Sequence, residues 1–309
     1  MQQPVIEPVD TTLIENELTE DKFLRSTNKG GNDIYIVDAY NAPNTMREIG
    51  RLREIAFRAA GGGTGKDCDI DSYDIMNPPC RQLIVWNAEH KLILGGYRFI
   101  LGEDVKIQSD GSPRIATAHM FDFTDRFLHD YLPATIELGR SFVRLEYQST
   151  RAGVKAIYAL DNLWDGLGAL TVKYPQIKYL FGKVTMYPSY SEHCRNLILH
   201  FLHKHFPDND NLVSPKNPLV TGADDDAIAK IFCGGNFKED YRILNTEVRN
   251  LGYNIPPLVN AYMGLSPTMR IFGTAINDEF GDVEETGIFL AIDEIFEEKK
   301  QRHISTYKV

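Results

Sequence analysis

The sequence predicts an α+β fold in which helices flank a mixed and largely antiparallel central sheet. Short apolar runs typical of strands alternate with longer segments whose apolar residues recur at helical spacing. Two predicted strands, at residues 82–86 and 92–101, follow each other across a short polar turn, as in an antiparallel hairpin. A strand at 136–143, a helix at 153–173 and a strand at 179–186 come next, so we expect them to join the same sheet.

The remaining elements lie on either side of this region. Toward the N-terminus we predict a short helical pattern at 13–24, a strand at 34–37 and a helix at 45–59. Ser189 and Glu192 have the spacing of a capping box, which opens a helix running to about residue 205. A polar excursion at 207–230, a helix at 257–263 and strands at 269–272 and 286–292 follow. We expect an N-terminal extension (1–30), a core (31–206) and a C-terminal extension (207–309) that packs on and completes the same domain.

Length and composition are those of a soluble globular protein. The chain has 309 residues, of which 43% are hydrophobic and 25% charged, so it can bury a sizeable core. A formal net charge of -10 argues against general nucleic-acid binding, which needs a basic face. Residues 1–12 lack the pattern of a signal peptide, and no apolar run is long enough to span a bilayer. We expect a cytoplasmic protein, whose contact with a membrane is at most peripheral, at the inner face.

Three patterns that suggest a metal or cofactor lack the residues that such a site needs. The glycine-rich run at 61–67 has Asp67 where a phosphate loop needs Ser or Thr, and a helix precedes it. The acidic segment at 67–74 lacks the bidentate glutamate of a calcium loop, and we expect it to face a cation such as Arg53 instead. The histidines at 193–205 have no neighbouring ligand that would complete a zinc set. No metal and no bound cofactor is predicted.

The strand at 136–143 carries charges that a buried strand would not normally contain. Glu137 and Arg140 lie three residues apart, with Gly139 between them. Either the strand is splayed or bulged and opens a gap beside its backbone, or it is an edge strand with solvated charges. Arg53, on the apolar side of its helix, and Arg98, inside an apolar strand, are out of place in the same way.

The order of elements resembles the Gcn5-related N-acetyltransferase (GNAT) fold, and the motifs resemble one branch of it. That branch contains the ornithine and glycine N-acyltransferases of aminolipid synthesis, often labelled hemolysin-like, and the related acyl-homoserine-lactone synthases. Four motifs carry the resemblance, in chain order: Arg53-x-x-x-Phe57, Asp71-x-x-Asp74, the strand arginine Arg98, and Glu137-x-x-Arg140. The similarity covers about residues 34–206, and the segment at 256–258 with the final strands also looks like this branch.

The resemblance implies an enzyme that moves a long-chain, 3-hydroxylated acyl group from acyl carrier protein to the amine of glycine or ornithine. Its donor is then acyl-phosphopantetheine on the carrier. GNAT enzymes that use acetyl-CoA carry a Gln/Arg-x-x-Gly-x-Gly/Ala turn for the pyrophosphate, whereas residues 148–153 hold one displaced glycine. Because carrier proteins are acidic, we expect Arg144, Arg151 and Lys155 to bind the carrier or its phosphopantetheine; a solvated helix start has the same appearance.

The chemistry of acyl transfer suggests roles for the motif residues. The amine must lose a proton before it can attack a thioester, so a proton acceptor must be within reach, directly or through water. We expect Glu137 to accept that proton, while Arg140 and Arg98 either hold Glu137 or bind the amino acid's carboxylate. The other residues expected at the substrate site are Arg53, Phe57, Asp71 and Asp74.

Several alternatives stay open at this level. The same charged residues are also expected if they form only a buried structural network. The runner-up enzyme transfers acetyl groups from acetyl-CoA to a small amine, and a non-catalytic acyl- or lipid-binding protein of the same fold has the same pattern. A pore-forming activity has no support, because no segment has the amphipathic or membrane-spanning pattern that it needs.

Overall fold

The computed structural model describes the backbone of residues 2–148, 154–221 and 225–308, and the side chains of 2–148, 158–221 and 227–308. The strands are β1 (Phe23–Ser26), β2 (Asp33–Val37), β3 (Arg81–Asn87), β4 (Leu92–Leu101), β5 (Phe121–Phe123), β6 (Thr135–Val143), β7 (Tyr179–Met186), β8 (Val213–Pro215), β9 (Arg270–Asn277) and β10 (Val283–Ala291). The helices are α1 (Thr11–Glu17), α2 (Pro43–Ala60), α3 (Ser72–Ile75), α4 (Val154–Lys173), α5 (Glu192–His205), α6 (Asp225–Ile231), α7 (Phe237–Asn250), α8 (Pro257–Met263) and α9 (Glu297–His303).

Eight of these strands form one sheet in the order β1-β2-β3-β4-β6-β7-β10-β9. Neighbouring strands run antiparallel, except β6 and β7, which run parallel. β5 and β8 form a separate antiparallel pair. The predicted α+β fold, with a mixed and largely antiparallel sheet flanked by helices, is confirmed.

Helices cover both faces of the large sheet. On one face, Leu163 of α4 and Phe201 of α5 belong to the same core as Phe99 and Leu138 of the sheet. On the other face, Met46 and Ile49 of α2 pack with Ile84, Trp86 and Phe142. We call these the α4 face and the α2 face. In the described ranges, no helix has the length and apolar character needed to cross a membrane.

The predicted elements around the charged motifs are confirmed, with ends shifted by a few residues at most. Two expectations nearer the termini are wrong. The helical pattern at 13–24 ends at Glu17, and residues 23–26 form the edge strand β1, whose four residues show too little periodicity to reveal a strand. The capping box is also wrong, because Ser191 rather than Ser189 caps α5 and accepts a hydrogen bond from the backbone N–H of Cys194.

Candidate active site

β6 separates from β7 partway along its length. The two strands pair only between residues 135–137 of β6 and 179–181 of β7. β7 pairs with β10 along its whole length, and β6 pairs with β4 as far as Val143. A gap therefore opens in the middle of the sheet after Glu137, which confirms the expectation of a splayed strand. The alternative of an edge strand is wrong, since β6 has a neighbour on each side.

A bulge in β6 places Arg140 at this gap. Arg98 of β4 is opposite Gly139, and Gly96 is opposite Phe142, so β6 has one residue more than β4 between these pairs. Arg140 has a φ of 49°, in the left-handed region that costs a residue with a side chain about 1 kcal/mol or more. The surrounding contacts must hold such a residue in place, and conformations of this kind are concentrated at functional sites.

A cavity of about 500 Å³ occupies the gap. Its lining draws on both faces of the sheet, because Phe280 packs on the α2 face whereas Tyr97 and Leu138 pack on the α4 face. The polar part of the lining includes Arg140, Ser141, Lys183, Thr185 and Glu285. The volume is typical of a small-molecule site, and one opening through the sheet joins a charged side to an apolar one.

Arg53 lies beneath this region in a fully buried cluster. Its guanidinium donates to both carboxylate oxygens of Asp74 at 3.4 Å, to the backbone carbonyl of Asp69 at 3.5 Å, and to the side-chain oxygen of Gln82. Gln82 donates in turn to Asp74 at 2.9 Å. The expected pairing of Arg53 with the acidic segment is confirmed. The cavity lining includes none of these four described residues, so Arg53 and Asp74 support the site from behind.

Asp71 links α3 to Arg98. Its carboxylate accepts hydrogen bonds from the backbone N–H groups of Tyr73 and Asp74, and Asp74 accepts one from the N–H of Asp71, which completes a capping box. Nη1 of Arg98 lies 2.7 Å from each carboxylate oxygen of Asp71. Burial raises the pKa of Asp71, but the charge and hydrogen bond of Arg98 outweigh burial and hold that pKa well below its usual range.

Arg140 connects the same acidic segment to the cavity. Its Nε lies 3.0 Å from a carboxylate oxygen of Asp69, and its Nη2 lies 3.5 Å from Asp71. The guanidinium carbon lies 4.4 Å from the ring centre of Phe280, which also lines the cavity. Burial raises the pKa of Asp69, and the charge of Arg140 offsets part of that increase. The sequence placed Asp69 only within an acidic run, whereas the structure makes it the partner of the arginine on the cavity wall.

Glu137 is buried and held by Thr117 rather than by an arginine. The backbone N–H and the hydroxyl of Thr117 donate to its carboxylate at 2.9 Å and 2.8 Å. Arg98 and Arg140 bond to aspartates instead, which corrects the expectation that they hold Glu137 directly. Burial raises the pKa of Glu137, against the bonds from Thr117. Its side chain is outside the cavity lining, so its role as proton acceptor stays a prediction.

The opposite wall of the gap carries an ion pair that sequence reasoning missed. Lys183 of β7 donates to Glu285 of β10, which also accepts from the hydroxyl of Thr185 at 2.9 Å and from Asn277 at 2.8 Å. Burial lowers the pKa of Lys183. Burial raises the pKa of Glu285, but the charge of Lys183 and these hydrogen bonds reverse the shift, so the pKa is below its ordinary value. The charge of Lys183 inside a predicted strand was the available signal, whereas Glu285 lies one residue before the strand predicted at 286–292.

The other predicted site residues have mixed positions. Phe57 lines the cavity and packs edge-to-face on Phe280, with ring centres 5.0 Å apart. Arg144 pairs with Glu146 at 3.2 Å. Arg151 and the side chain of Lys155 lie outside the described residues, so carrier binding by this group stays a prediction.

The glycine-rich run at 61–67 has a structural use in this fold. Glu54 of α2 accepts hydrogen bonds from the backbone N–H groups of Thr64 and Gly65, at 3.1 Å and 2.7 Å, and from the hydroxyl of Thr64 at 2.8 Å. A carboxylate of the protein therefore takes the donors that a phosphate would need. Among the described residues, no group of three or more His, Cys, Asp or Glu side chains could hold a metal ion.

The chain is similar in sequence to known acyltransferases. Residues 52–157 match the family model of the acetyltransferase (GNAT) domain. The glycine N(alpha)-acyltransferase of Bacteroides thetaiotaomicron is 65% identical over 305 residues, which cover 99% of this chain and 90% of that protein. The glycine N(alpha)-acyltransferase of Phocaeicola vulgatus is 62% identical and covers 99% of this chain and 94% of its own length. The crystal structure of the AHL synthase LasI aligns with 91% of this chain and 98% of its own, at 10% identity and a TM-score of 0.39.

Proposed function

Because this chain belongs to the GNAT acyltransferase family that includes the glycine N(alpha)-acyltransferases, we propose that it joins a long acyl chain to the amine of glycine. The chain is an acyltransferase, and the proposal concerns its two substrates. The donor is a long-chain acyl group carried as a thioester on acyl carrier protein. The product is an N-acylglycine, the first intermediate of a membrane aminolipid.

The cavity in the splayed sheet is the observation that carries this proposal. After residue 137, β6 and β7 no longer pair with each other, so backbone donors and acceptors on the two strands face the gap. A pantetheine arm can bond to them as an added strand does, which brings its thioester beside Arg140. The apolar lining on the α4 face, including Tyr97, Leu138 and Leu258, suits an acyl chain, at about 0.8 kcal/mol for each buried CH₂.

The charges of the cavity favour glycine over ornithine as the acceptor. Of the described residues that line it, Glu285 is the acidic one, and Lys183 already pairs with it. One carboxylate serves one ammonium group, whereas ornithine brings a second ammonium that would be buried without a partner. The names of the two bacterial relatives favour the same acceptor.

Arg140 has the role in this proposal that the sequence suggested. The guanidinium of Arg140 lines the cavity and is well shaped for the carboxylate of the amino acid. Arg98 is 4% exposed and bound to Asp71, so it is assigned to the scaffold that positions Arg140. The GNAT resemblance favours Glu137 as proton acceptor, although its side chain lies outside the cavity lining.

Acyl carrier protein is proposed as the donor, rather than CoA, on the sequence of residues 148–153. The segment lacks the full Gln/Arg-x-x-Gly-x-Gly/Ala pattern of the pyrophosphate turn, whereas phosphopantetheine on a carrier has one phosphate. Arg144, Arg151 and Lys155 are proposed to meet the acidic carrier. The 3-hydroxyl group on the acyl chain and a peripheral contact with the inner membrane rest on the family resemblance.

The test is an assay of the purified protein with separate donors and acceptors. One long acyl chain is supplied on acyl carrier protein or on CoA, acetyl-CoA is tried beside it, and glycine or ornithine is the acceptor. Mass spectrometry identifies the amide. We expect N-acylglycine, formed faster from the carrier than from CoA. Acetylglycine as the main product, or carrier binding without any amide, would refute the proposal.

A further inference from the structure

The wall formed by β7 and β10 holds two opposite charges at the cavity. Lys183 and Glu285 are in direct contact, and both line the cavity. We propose that this pair is the binding site for the zwitterion of the acceptor amino acid, with Glu285 receiving its ammonium group and accepting a proton from it. Lys183, together with Arg140, binds the carboxylate. This inference rests on the function proposed above.

The first support is the way in which Glu285 is held. The residue is 2% exposed, and Thr185 and Asn277 each donate to one of its carboxylate oxygens, in addition to Lys183. Two neutral donors on neighbouring strands keep the carboxylate in place when Lys183 moves to another anion.

The second support comes from the cost of burying charges. A buried ion pair rarely stabilises a fold more than apolar residues of the same volume, because both ions lose their hydration. An amino acid that enters the cavity brings one positive and one negative group. When Lys183 and Glu285 exchange their mutual contact for contacts with the substrate, every charge stays paired. The two side chains already lost their hydration when the protein folded, so substrate binding does not add that cost again.

The charges around Glu285 keep its carboxylate ionised, in the state that can receive an ammonium group. Lys183 contacts Glu285 from β7, and Arg140 of β6 lines the same cavity. The other titratable groups in the described lining are Tyr97, Tyr187, Tyr190 and Tyr262, whereas Glu137 lies outside it. Lys183 and Arg140 are the cations of the described lining and Glu285 is its acidic residue, so the carboxylate of an amino acid can pair with a cation there. The ionised state of Glu285, which Lys183 favours, is the state that can bind an ammonium.

The reaction balances without another reactant. Glu285 takes one proton from the ammonium, and the neutral amine attacks the thioester carbon. The C–N bond forms as the carbonyl electrons move to oxygen; when they return, the C–S bond breaks and the pantetheine leaves as a thiolate. The second proton of the nitrogen passes to that thiolate. The products are the amide, a thiol and a protonated Glu285, which returns its proton to solvent.

Four variants test the assignment, each assayed with glycine and the acyl-carrier donor and each checked by thermal unfolding. Glu285→Gln removes the proton acceptor. The double variant Lys183→Met with Glu285→Gln removes the ion pair but leaves no unpaired buried charge. Glu284→Gln is the matched control. Glu284 is next to Glu285 in the sequence, but its carboxylate pairs with Arg195 and lies outside the cavity lining. Glu137→Gln tests the competing proton acceptor.

We expect Glu285→Gln and the double variant to fold and to lose about 100-fold or more in kcat/KM, the usual contribution of a general base. Their rates should rise steadily with pH, because solvent must then deprotonate glycine. Glu284→Gln should behave like the wild-type protein. Wild-type activity in Glu285→Gln or in the double variant would overturn the inference. Loss of the acidic limb of the pH–rate profile in Glu137→Gln alone would also overturn it and assign the proton to Glu137.

Failure of this inference can be told from failure of the proposed function. If the wild-type protein forms no N-acylglycine from any donor, the proposed function is wrong. If the wild-type protein forms it and Glu285→Gln does so equally well, the function stands and the assignment of the Lys183–Glu285 pair falls.

Discussion

Replacement of Arg53 by methionine should show whether Arg53 supports the cavity from behind or acts in the cavity itself. The guanidinium of Arg53 is fully buried and is shared among Asp74, the backbone carbonyl of Asp69 and Gln82. Methionine fills much of the same volume but donates no hydrogen bond. In the variant Arg53→Met, the carboxylate of Asp74 loses one of its two buried cations and keeps Arg98, Gln82 and the N–H of Asp71 as described partners.

The size of the effect follows from these contacts. Removing one partner of a buried ion pair destabilises a protein by about 3–5 kcal/mol. The two bonds to Asp74 are long, at 3.4 Å, so the lower end of that range applies. In a chain of 309 residues, with an unfolding entropy of about 2.1 cal/mol/K per residue, a loss of about 3 kcal/mol lowers Tm by roughly 5 °C. Thermal unfolding followed by circular dichroism measures this shift directly.

The matched control is Arg126→Met, because the Arg126 side chain is 53% exposed and its pair with Asp210 is on the surface. Its Tm should change little. If Arg53 belongs to the scaffold, the activity of Arg53→Met should fall in step with the fraction of folded protein. A variant with the wild-type Tm, or one that is fully stable yet inactive, would refute this account and place Arg53 at the substrate.

Three further variants test other parts of the structure. Glu137→Gln should keep or raise Tm at pH 7, because burial raises the pKa of Glu137 and so penalises its ionised form. The gain in Tm over the wild-type protein should shrink as pH falls toward 4.5, the ordinary pKa of a glutamate. A lower Tm than that of the wild-type protein at pH 7 would contradict this. Asp71→Asn should lower Tm at neutral pH and reduce the loss of stability in acid. The depressed pKa of Asp71 stabilises the folded protein, and this contribution is lost only when pH falls below the ordinary pKa of 3.8. Parallel curves of Tm against pH for the variant and the wild-type protein would exclude that contribution. Gly139→Val should keep the wild-type Tm, because a Cβ at this position meets nothing within 4 Å. It should slow acyl transfer about tenfold or more, because the side chain narrows the gap. An unchanged rate of acyl transfer would show that the gap is not the active site.

The sequence predicts the part of this site that depends on nearby residues. Glu137, Gly139 and Arg140 lie within four positions, and two charges beside a glycine in an apolar strand were enough to suggest a gap. The same holds for Arg53 and Arg98, each of which is a charge at an apolar position. The bulge and the parting of β6 from β7 confirm that reasoning.

The rest of the site depends on pairing between distant strands. Lys183 and Glu285 are 102 positions apart, and their contact exists because β7 and β10 pair along their length. Without that register, each residue is an ordinary charge in a short strand. The edge strand β1 was missed for a related reason, since a short strand stabilised by its neighbour has little pattern of its own.

Partner choice inside the acidic segment was equally hidden. The sequence surroundings are similar for the three aspartates of this segment, yet each pairs with a different arginine. The pairs are Asp74 with Arg53, Asp71 with Arg98, and Asp69 with Arg140. The helix cap at Asp71 fixes which carboxylate points which way. Local sequence indicated that this segment meets cations, and the fold decides which cation each carboxylate meets.

The proposed function requires acyl transfer to take place in the gap between β6 and β7. A crystal structure with glycine and an acyl-pantetheine thioether, which cannot transfer its chain, tests this most directly. We predict that the pantetheine arm bonds to the backbone of residues 138–141, with the acyl chain beside Tyr97 and Leu258 and the glycine against Arg140. An analogue bound elsewhere, with the gap between β6 and β7 empty, would contradict the proposed site of acyl transfer.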